Sequence, residues 1–322
     1  NGYRACKRLI MKISVDISVF NEEENIKPLI ERIDKALQGL DYEVIFVDDG
    51  SIDTTLDNLR YHSGQRYRII SFYKNYGQTA AMAAGIEEAK GDVIVTMDGD
   101  LQNDPEDIPR MIEEMKRGNW DVVAGNRKKR KDSFFIRKLP SRIANWIIRT
   151  FTRVHINDYG CSLKLFRTDV AKNLELYGEL HRFIPVLAKL QGARITEMDV
   201  VHHPRVHGKT KYGFGRTLRV MSDLILMVFF QKYMHRPMHL FGTLGIITFG
   251  IGILLDLYLL GEKILGHDIW GRPLLILAIT LTIGGIQLIT SGLVAEVIMR
   301  TYYESQDKRT YRIKDIFLGK EN

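Results

Sequence analysis

The sequence predicts an α/β fold with a mainly parallel sheet, followed by an interfacial amphipathic helix and two transmembrane helices. Three observations predict it. Between residues 11 and 215, apolar runs of strand length alternate with amphipathic runs of helix length. Five of the strand-like runs end in polar or glycine-containing loops, NEEE, DDGS, KNYGQ, DGDLQ and GNR. Residues 240–298 are largely apolar. The 322-residue chain has a net charge of +7 and a mean hydropathy near zero, an average over two unlike halves. The expected organisation is an α/β domain over 11–215, a juxtamembrane helix within 216–239, two spans within 240–298 joined by loop 261–272, and a tail over 299–322.

Asn1–Ile10 carry no strand or helix pattern and are set aside, and no cleavable signal peptide is expected. Ile13–Phe20 is the first strand. Pro28 is tolerated only in a first helical turn, so the next helix starts with Asn25 as its N-cap. Ile26, Leu29, Ile30, Ile33 and Leu37 form its apolar face, and Gly39 stops it. Glu43–Val47 is the second strand, with Asp53 placed to cap the following helix. Tyr67–Phe72 is the third, followed by an alanine-rich helix to Lys90 and a stop at Gly91. Val93–Met97 is the fourth strand, and the helix Glu106–Arg117 ends at Gly118. Trp120–Ala124 is the fifth. Asn157–Phe166 reads as a turn and a strand, and 193–201 as another strand.

In such sheets ligands bind at the carboxyl ends of the strands, so the five polar loops should share one edge. The stretch VIVTMDGDLQND is the most informative of them. Asp98 and Asp100, two apart, share a side if the segment is extended. With Gln102 they offer hard oxygen ligands suited to Mg²⁺ or Mn²⁺. Gly99 between them is expected to let the backbone approach a ligand. Asp48-Asp49 suits ribose hydroxyls or a base edge. Neither GxGxxG nor GxxxxGK[ST] occurs, which argues against an ordinary dinucleotide site or P-loop. Cys6 and Cys161, the only cysteines, lack metal-ligand spacing.

Arg127–Arg153 carries ten Lys or Arg against one Asp, interleaved with Phe134, Phe135, Trp146 and Phe151. Beside a membrane segment this suits anionic lipid headgroups rather than nucleic acid. Asp158 is a candidate base, and His181 reads as a satisfied buried histidine. Arg205, His207, Lys209 and Lys211 lie among glycines, as in a mobile cationic loop that closes on phosphate. Leu218–Tyr233 reads as an amphipathic surface helix. Leu240–Leu260, roughly 31 Å long as a helix, and Pro273–Ile298 are long enough to span a bilayer. Arg216, Arg219, Lys232 and Arg236 precede the spans, and Arg300, Lys308, Arg309, Arg312 and Lys314 follow them. Only Lys263 and Arg272 lie in the loop between. Both termini and the α/β domain are therefore expected on the cytoplasmic side of an inner membrane.

The motifs FNEEEN, VDDGSID, NYGQTAAMAAG, MDGDLQNDPEDIP, AGNR, LPSRIAN, DYGCSLK, HRFIP and RVHGKTKYG together resemble family 2 glycosyltransferases. More narrowly, they resemble the polyprenyl-phosphate hexosyltransferases related to dolichol-phosphate mannose synthase, in the bacterial form with two C-terminal spans. The resemblance covers about residues 11–310. It implies a GT-A fold, a divalent metal, and inverting transfer of a hexose from a nucleotide sugar to a polyprenyl phosphate such as undecaprenyl phosphate, by a homo-oligomer, expected as a tetramer. It assigns Phe20, Glu22, Asp49, Asn75, Asp98 and Arg127 to the donor, and Asp98, Asp100 and Gln102 to the metal. It assigns Arg142, Arg205 and Lys211 to the phosphates, and Asp158 to the position usually given as base. The expected donor is UDP-glucose, with GDP-mannose as the alternative. A non-catalytic adaptor binding nucleotide or lipid is the other reading. A processive polysaccharide synthase would bring a QxxRW motif, which is absent. There are departures from the family: Asp16 stands at an apolar position and Ser18 where proline is usual. Phe20 also replaces a tyrosine, which keeps stacking and loses a hydroxyl.

Overall fold

The computed structural model describes residues 11–127, 156–174, 176, 178, 180–204, 229, 233 and 236–305. Arg142 with the basic segment 128–155, the cationic loop from Arg205 through Lys211, and the tail beyond Ser305 lie outside the described residues. So does the surface helix over 218–233, apart from Phe229 and Tyr233. Contacts divide the chain into two units, Asn1–Ile225 and Leu226–Asn322.

The first unit is a sheet of seven strands: β1 (Ile13–Val19), β2 (Tyr42–Asp48), β3 (Tyr67–Ser71), β4 (Val93–Asp98), β5 (Val122–Asn126), β6 (Lys164–Arg167) and β7 (Ile195–Asp199). Their order is β3-β2-β1-β4-β6-β5-β7. β1 pairs parallel with β2 and β4, β2 with β3, and β5 with β7. β6 runs antiparallel to both β4 and β5. Six strands therefore share one direction, and all five polar loops leave one edge, as expected. The reversal of β6 brings the start of that strand, and the Asp158–Leu163 turn before it, to the same edge.

Helices cover both faces: α1 (Ile26–Ala36), α2 (Thr55–His62), α3 (Gln78–Glu88), α4 (Asp107–Gly118), α5 (Thr168–Ala171) and α6 (Ile184–Leu190). Strand alternation assigns the faces. Val15 and Ile17 of β1 pack in one core with Leu29 and Ile33 of α1 and with Ile108 and Met111 of α4. Ile45, Ile94 and Phe166 pack in the other with Ala81, Met82 and Ile86 of α3 and Ile184 of α6. The alanines of α3 let that helix lie close to the sheet.

Three local expectations change. The fifth strand starts at Val122 rather than Trp120. Asn119 closes α4 in the left-handed region at φ 48°, and the Trp120 N–H still bonds the Met115 carbonyl, so Trp120 belongs to the helix exit. Asn25 stands at the N-cap of α1, but its side chain makes no cap bond; its Nδ2 donates to Glu22 Oε2 at 2.5 Å. Gly99 has a packing role beyond the one expected, because a Cβ there would lie 2.5 Å from Val19 Cγ1.

Asp16 lies on the α3 side of β1, only 1 % exposed. Neither of its carboxyl oxygens has a hydrogen-bond partner. Room for it comes from Gly85 of α3, where a Cβ would sit 1.9 Å from Asp16 Oδ1. An ionised carboxylate buried without a partner costs far more than a neutral one, and burial pushes the Asp16 carboxyl well above 3.8.

The second unit contains α7 (Pro237–Ile264) and α8 (Pro273–Ser305). Both are longer than the expected spans, and each holds a window of mean hydropathy 2.0, enough to cross a membrane by length and composition. They pack through small residues. A Cβ on Gly252 would meet Thr282 Oγ1 at 2.5 Å, and one on Gly285 would meet Phe249. Thr282 Oγ1 donates to Asp256 Oδ2 at 2.8 Å, so the acid in this apolar helix has a partner on its neighbour.

The Asp16 site generates a pH-dependent prediction. A carboxyl whose folded pKa is raised stabilises fully below the unfolded value, and that contribution is lost as pH rises towards the folded value. Asp16→Asn, which cannot ionise, should gain stability over wild type as pH rises from 5 to 8. Thermal unfolding of the two proteins at both pH values measures this; equal differences at the two pH values would mean Asp16 is ionised in the fold.

Candidate active site at the carboxyl edge

The edge is organised by loops tied to one another. After β1, Asn21 turns in the left-handed region at φ 53°. Its N–H donates to Ser51 Oγ at 2.9 Å, and its Oδ1 accepts the Ile52 N–H at 2.9 Å. The Glu22 N–H donates to Thr55 Oγ1 at 2.8 Å. The NEEE loop is thereby sewn to the DDGS loop, with Phe20 and Glu22 at the seam. The DDGS loop lies in turn against KNYGQ: a Cβ on Gly50, at φ 70°, would fall 2.4 Å from the Lys74 carbonyl carbon, so only glycine fits.

Asp49, expected at ribose or base, binds backbone. Its two oxygens accept the N–H groups of Tyr76 and Gly77 at 2.7 and 2.9 Å. Burial raises its pKa, against the lowering effect of those two bonds. Asp49 thus shapes the loop that presents Asn75, whose side chain is exposed. Asp48 is similarly engaged, accepting the Ser51 N–H at 3.1 Å.

The acid pair sits at the centre of the edge. β4 ends at Asp98 and the chain then turns, with Leu101 left-handed at φ 60°. Asp98 and Asp100 are brought together by this turn rather than by strand alternation. Asp100 is 7 % exposed, and its Oδ1 accepts the Gln102 N–H at 3.1 Å. The Asp98 carboxyl is pushed up to about 6, first by burial and then by the charge of Asp100; Ser162, Lys164 and Arg127 act against the shift. Gln78, at the start of α3, donates from Nε2 to Asp98 Oδ1 at 2.6 Å.

Two carboxylates that repel each other, Asp100 buried and Asp98 half-buried, suit a divalent cation, which would relieve the repulsion that helps to raise Asp98. Gln102 donates its amide N–H to the His203 carbonyl at 3.4 Å, which leaves its Oε1 for a ligand. Among the described residues no three His, Cys, Asp or Glu side chains converge on one point. A metal here would rely on the two carboxylates, the Gln102 amide and oxygens of a substrate.

Arg127 and Asp158, expected in separate roles, are partners. Arg127 Nε donates to Asp158 Oδ2 at 2.5 Å and its NH2 group to Oδ1 at 2.9 Å, a bidentate fork with both side chains under 16 % exposed (12 % and 15 %). The pair keeps the Arg127 guanidinium charged despite its burial. Lys164, which faces Thr96 of β4, is 2 % exposed and donates to the Cys161 carbonyl. Desolvation lowers its pKa, while Cys161, Asp158 and Asp98 raise it. His181 is the satisfied histidine expected: its Nδ1 meets Thr79 Oγ1 at 2.8 Å, and burial pushes it down to about 3.

Gln78, Ser162 and Lys164 were not singled out from sequence. Lys164 had a readable signal. Leu163 and Leu165 alternate with Lys164 and Phe166 in a strand whose two faces are both covered, so the lysine had to be buried.

The family model of Glycosyl transferase family 2 matches residues 14–174. A protein of Rhizobium johnstonii named dodecaprenyl-phosphate galacturonate synthase is 46 % identical over 315 residues, covering 95 % of this chain and 93 % of its own. An undecaprenyl-phosphate 4-deoxy-4-formamido-L-arabinose transferase of Aeromonas hydrophila is 37 % identical, covering 95 % of this chain and 94 % of its own. Among solved structures, glucosyl-3-phosphoglycerate synthase from Mycobacterium tuberculosis, in complex with Mn²⁺ and UDP-glucose, superposes with a TM-score of 0.54 at 16 % identity. It covers 69 % of this chain and 79 % of its own, and shows the GT-A-like fold. The chain belongs to glycosyl transferase family 2, beside relatives named for polyprenyl-phosphate carriers.

Proposed function

We propose that the protein transfers a hexose-type sugar, with inversion, from a nucleoside-diphosphate donor to a membrane polyprenyl phosphate. The observation that carries this reading is the Asp98–Asp100 pair at the end of β4, with the Arg127–Asp158 fork on the same edge. The names of the relatives support the lipid acceptor. Among donors, a UDP-linked galacturonic acid ranks ahead of the UDP-glucose expected from sequence, because the 46 % identical relative is named for galacturonate.

A lipid phosphate oxygen attacks the anomeric carbon, the carbon–oxygen bond to the diphosphate breaks, and the nucleoside diphosphate leaves. The phosphate acceptor has a second pKa near 6 by analogy with phosphoserine, so it attacks largely ionised and needs little help from a base. The fork agrees with this: both Asp158 oxygens already accept from Arg127. Asp158 then acts by aiming Arg127 at phosphate rather than by taking a proton. Asp98, Asp100 and Gln102 would hold Mg²⁺ or Mn²⁺, which when bound neutralises the donor diphosphate. Gln78 fixes Asp98. Arg142, Arg205 and Lys211 remain the proposed cations that offset repulsion between two anionic substrates. The proposed setting is an inner membrane, with the α/β domain and both termini cytoplasmic.

Purified full-length protein, incubated with undecaprenyl phosphate, Mn²⁺ and a panel of labelled nucleotide sugars, should yield one labelled lipid on thin-layer chromatography. Asp100→Asn should lower the initial rate by roughly 100-fold or more, the scale of losing a metal-supported electrostatic contact. Transfer in excess EDTA would refute the metal, and nucleotide binding without transfer from any donor would favour an adaptor.

The fork makes a separate prediction. Arg127→Ala and Asp158→Ala should each slow the reaction strongly, and the double variant should be no slower than the worse single. Initial rates at saturating donor decide this; additive losses would show that Asp158 has a task independent of Arg127. For topology, a cysteine at Gly266 should react with an impermeant thiol reagent added to intact cells, and one at Ser305 should not. The opposite labelling would invert the orientation.

A further inference from the structure

We propose that residues 201–203 form a strap that holds the Asp100–Asp104 turn in its ligand-presenting shape, with His203 as a positioning residue. The inference rests on the metal reading above and assigns a task to residues outside the acid pair.

Leu101 is a branched residue at φ 60° and is 2 % exposed. A non-glycine residue in that region persists only where its surroundings over-determine it. After β7 the chain turns across the metal turn and pins it from outside. The Val201 N–H donates to Asp107 Oδ2 at 2.7 Å. His202 forms an isolated antiparallel bridge with Asn103. The His203 N–H donates to the Gln102 carbonyl at 2.8 Å, and Gln102 Nε2 returns a bond to the His203 carbonyl at 3.4 Å. His203 Nε2 meets Asp104 Oδ2 at 2.8 Å, and Asp104 Oδ1 accepts the Glu106 N–H at 3.0 Å at the head of α4. From the inside, Asn103 Nδ2 donates to Ser162 Oγ at 2.9 Å.

The strap therefore grips Gln102, Asn103 and Asp104 in succession, directly after the strained residue. It binds both main chain and side chain of Gln102, a proposed ligand. On a partly exposed surface the His203–Asp104 contact contributes little stability. Its consequence is geometric: it keeps the turn from relaxing when Asp98 and Asp100 repel each other. Partners that orient ligands without touching the ion typically change affinity by roughly 10–100-fold when removed.

The test uses full-length protein in detergent, with Mn²⁺ binding read from the loss of the free-ion paramagnetic resonance signal, and thermal unfolding alongside. His203→Ala should weaken Mn²⁺ binding about tenfold with an unchanged melting temperature. His203→Gln, whose amide N–H can still reach Asp104, should restore most of it. In the transfer assay the same His203→Ala loss should yield to raised Mn²⁺. Mn²⁺ binding by His203→Ala within twofold of wild type overturns the strap. So does a loss that tracks a lowered melting temperature and is not restored in His203→Gln. Wild-type protein that binds no Mn²⁺ overturns the metal reading itself, and the strap with it.

Discussion

Repulsion at the carboxyl edge of the sheet is the constraint on which the rest of the site depends. Asp98 and Asp100 are held together at the end of β4, and desolvation and the charge of Asp100 push the Asp98 carboxyl up to about 6. A structure that forces two acids together needs compensation close by. Part of it is built in: Gln78 bonds Asp98, and the buried Lys164 and Arg127 act on it through their charge. The remainder is what the proposed cation would supply. The antiparallel strand β6 makes this possible, because its reversal delivers Ser162, Lys164 and the Asp158 turn to the edge where the parallel strands end.

Much of this was legible in the sequence where the signal is local. Apolar runs of strand length closed by polar loops located the strands, and Pro28 placed the start of α1. The boundary of β5 was not local. It depends on Asn119 going left-handed and on Asp121 and Val122 donating to the Arg194 carbonyl across the sheet. The acids of the site were visible as residue types, yet their partners were not. Arg127 and Asp158 lie 31 positions apart, and no spacing rule joins them. Asp49 likewise looks like a free ligand until its two backbone partners are seen.

Asp16 shows how a departure from a family pattern is absorbed. An acid within β1 stands where the family pattern is apolar, and burying it is costly unless it is paired. The fold accommodates it through the missing side chain of Gly85, and burial raises its pKa well above the usual carboxylate value. Asp256 in α7 is treated in the opposite way, with a hydroxyl from Thr282 in the neighbouring helix. Both acids show that the unit of explanation is the pair of facing residues.

In the function proposed above, Asp100 and Gln102 complete a metal site at the edge assigned to the donor diphosphate. Anomalous scattering from crystals grown with Mn²⁺ and a nucleoside diphosphate tests it most directly. A single strong peak is expected within ligand distance of a carboxylate oxygen of Asp100, the amide oxygen of Gln102 and the diphosphate. A bound nucleotide with no peak there, or with the metal held by other side chains, would contradict it.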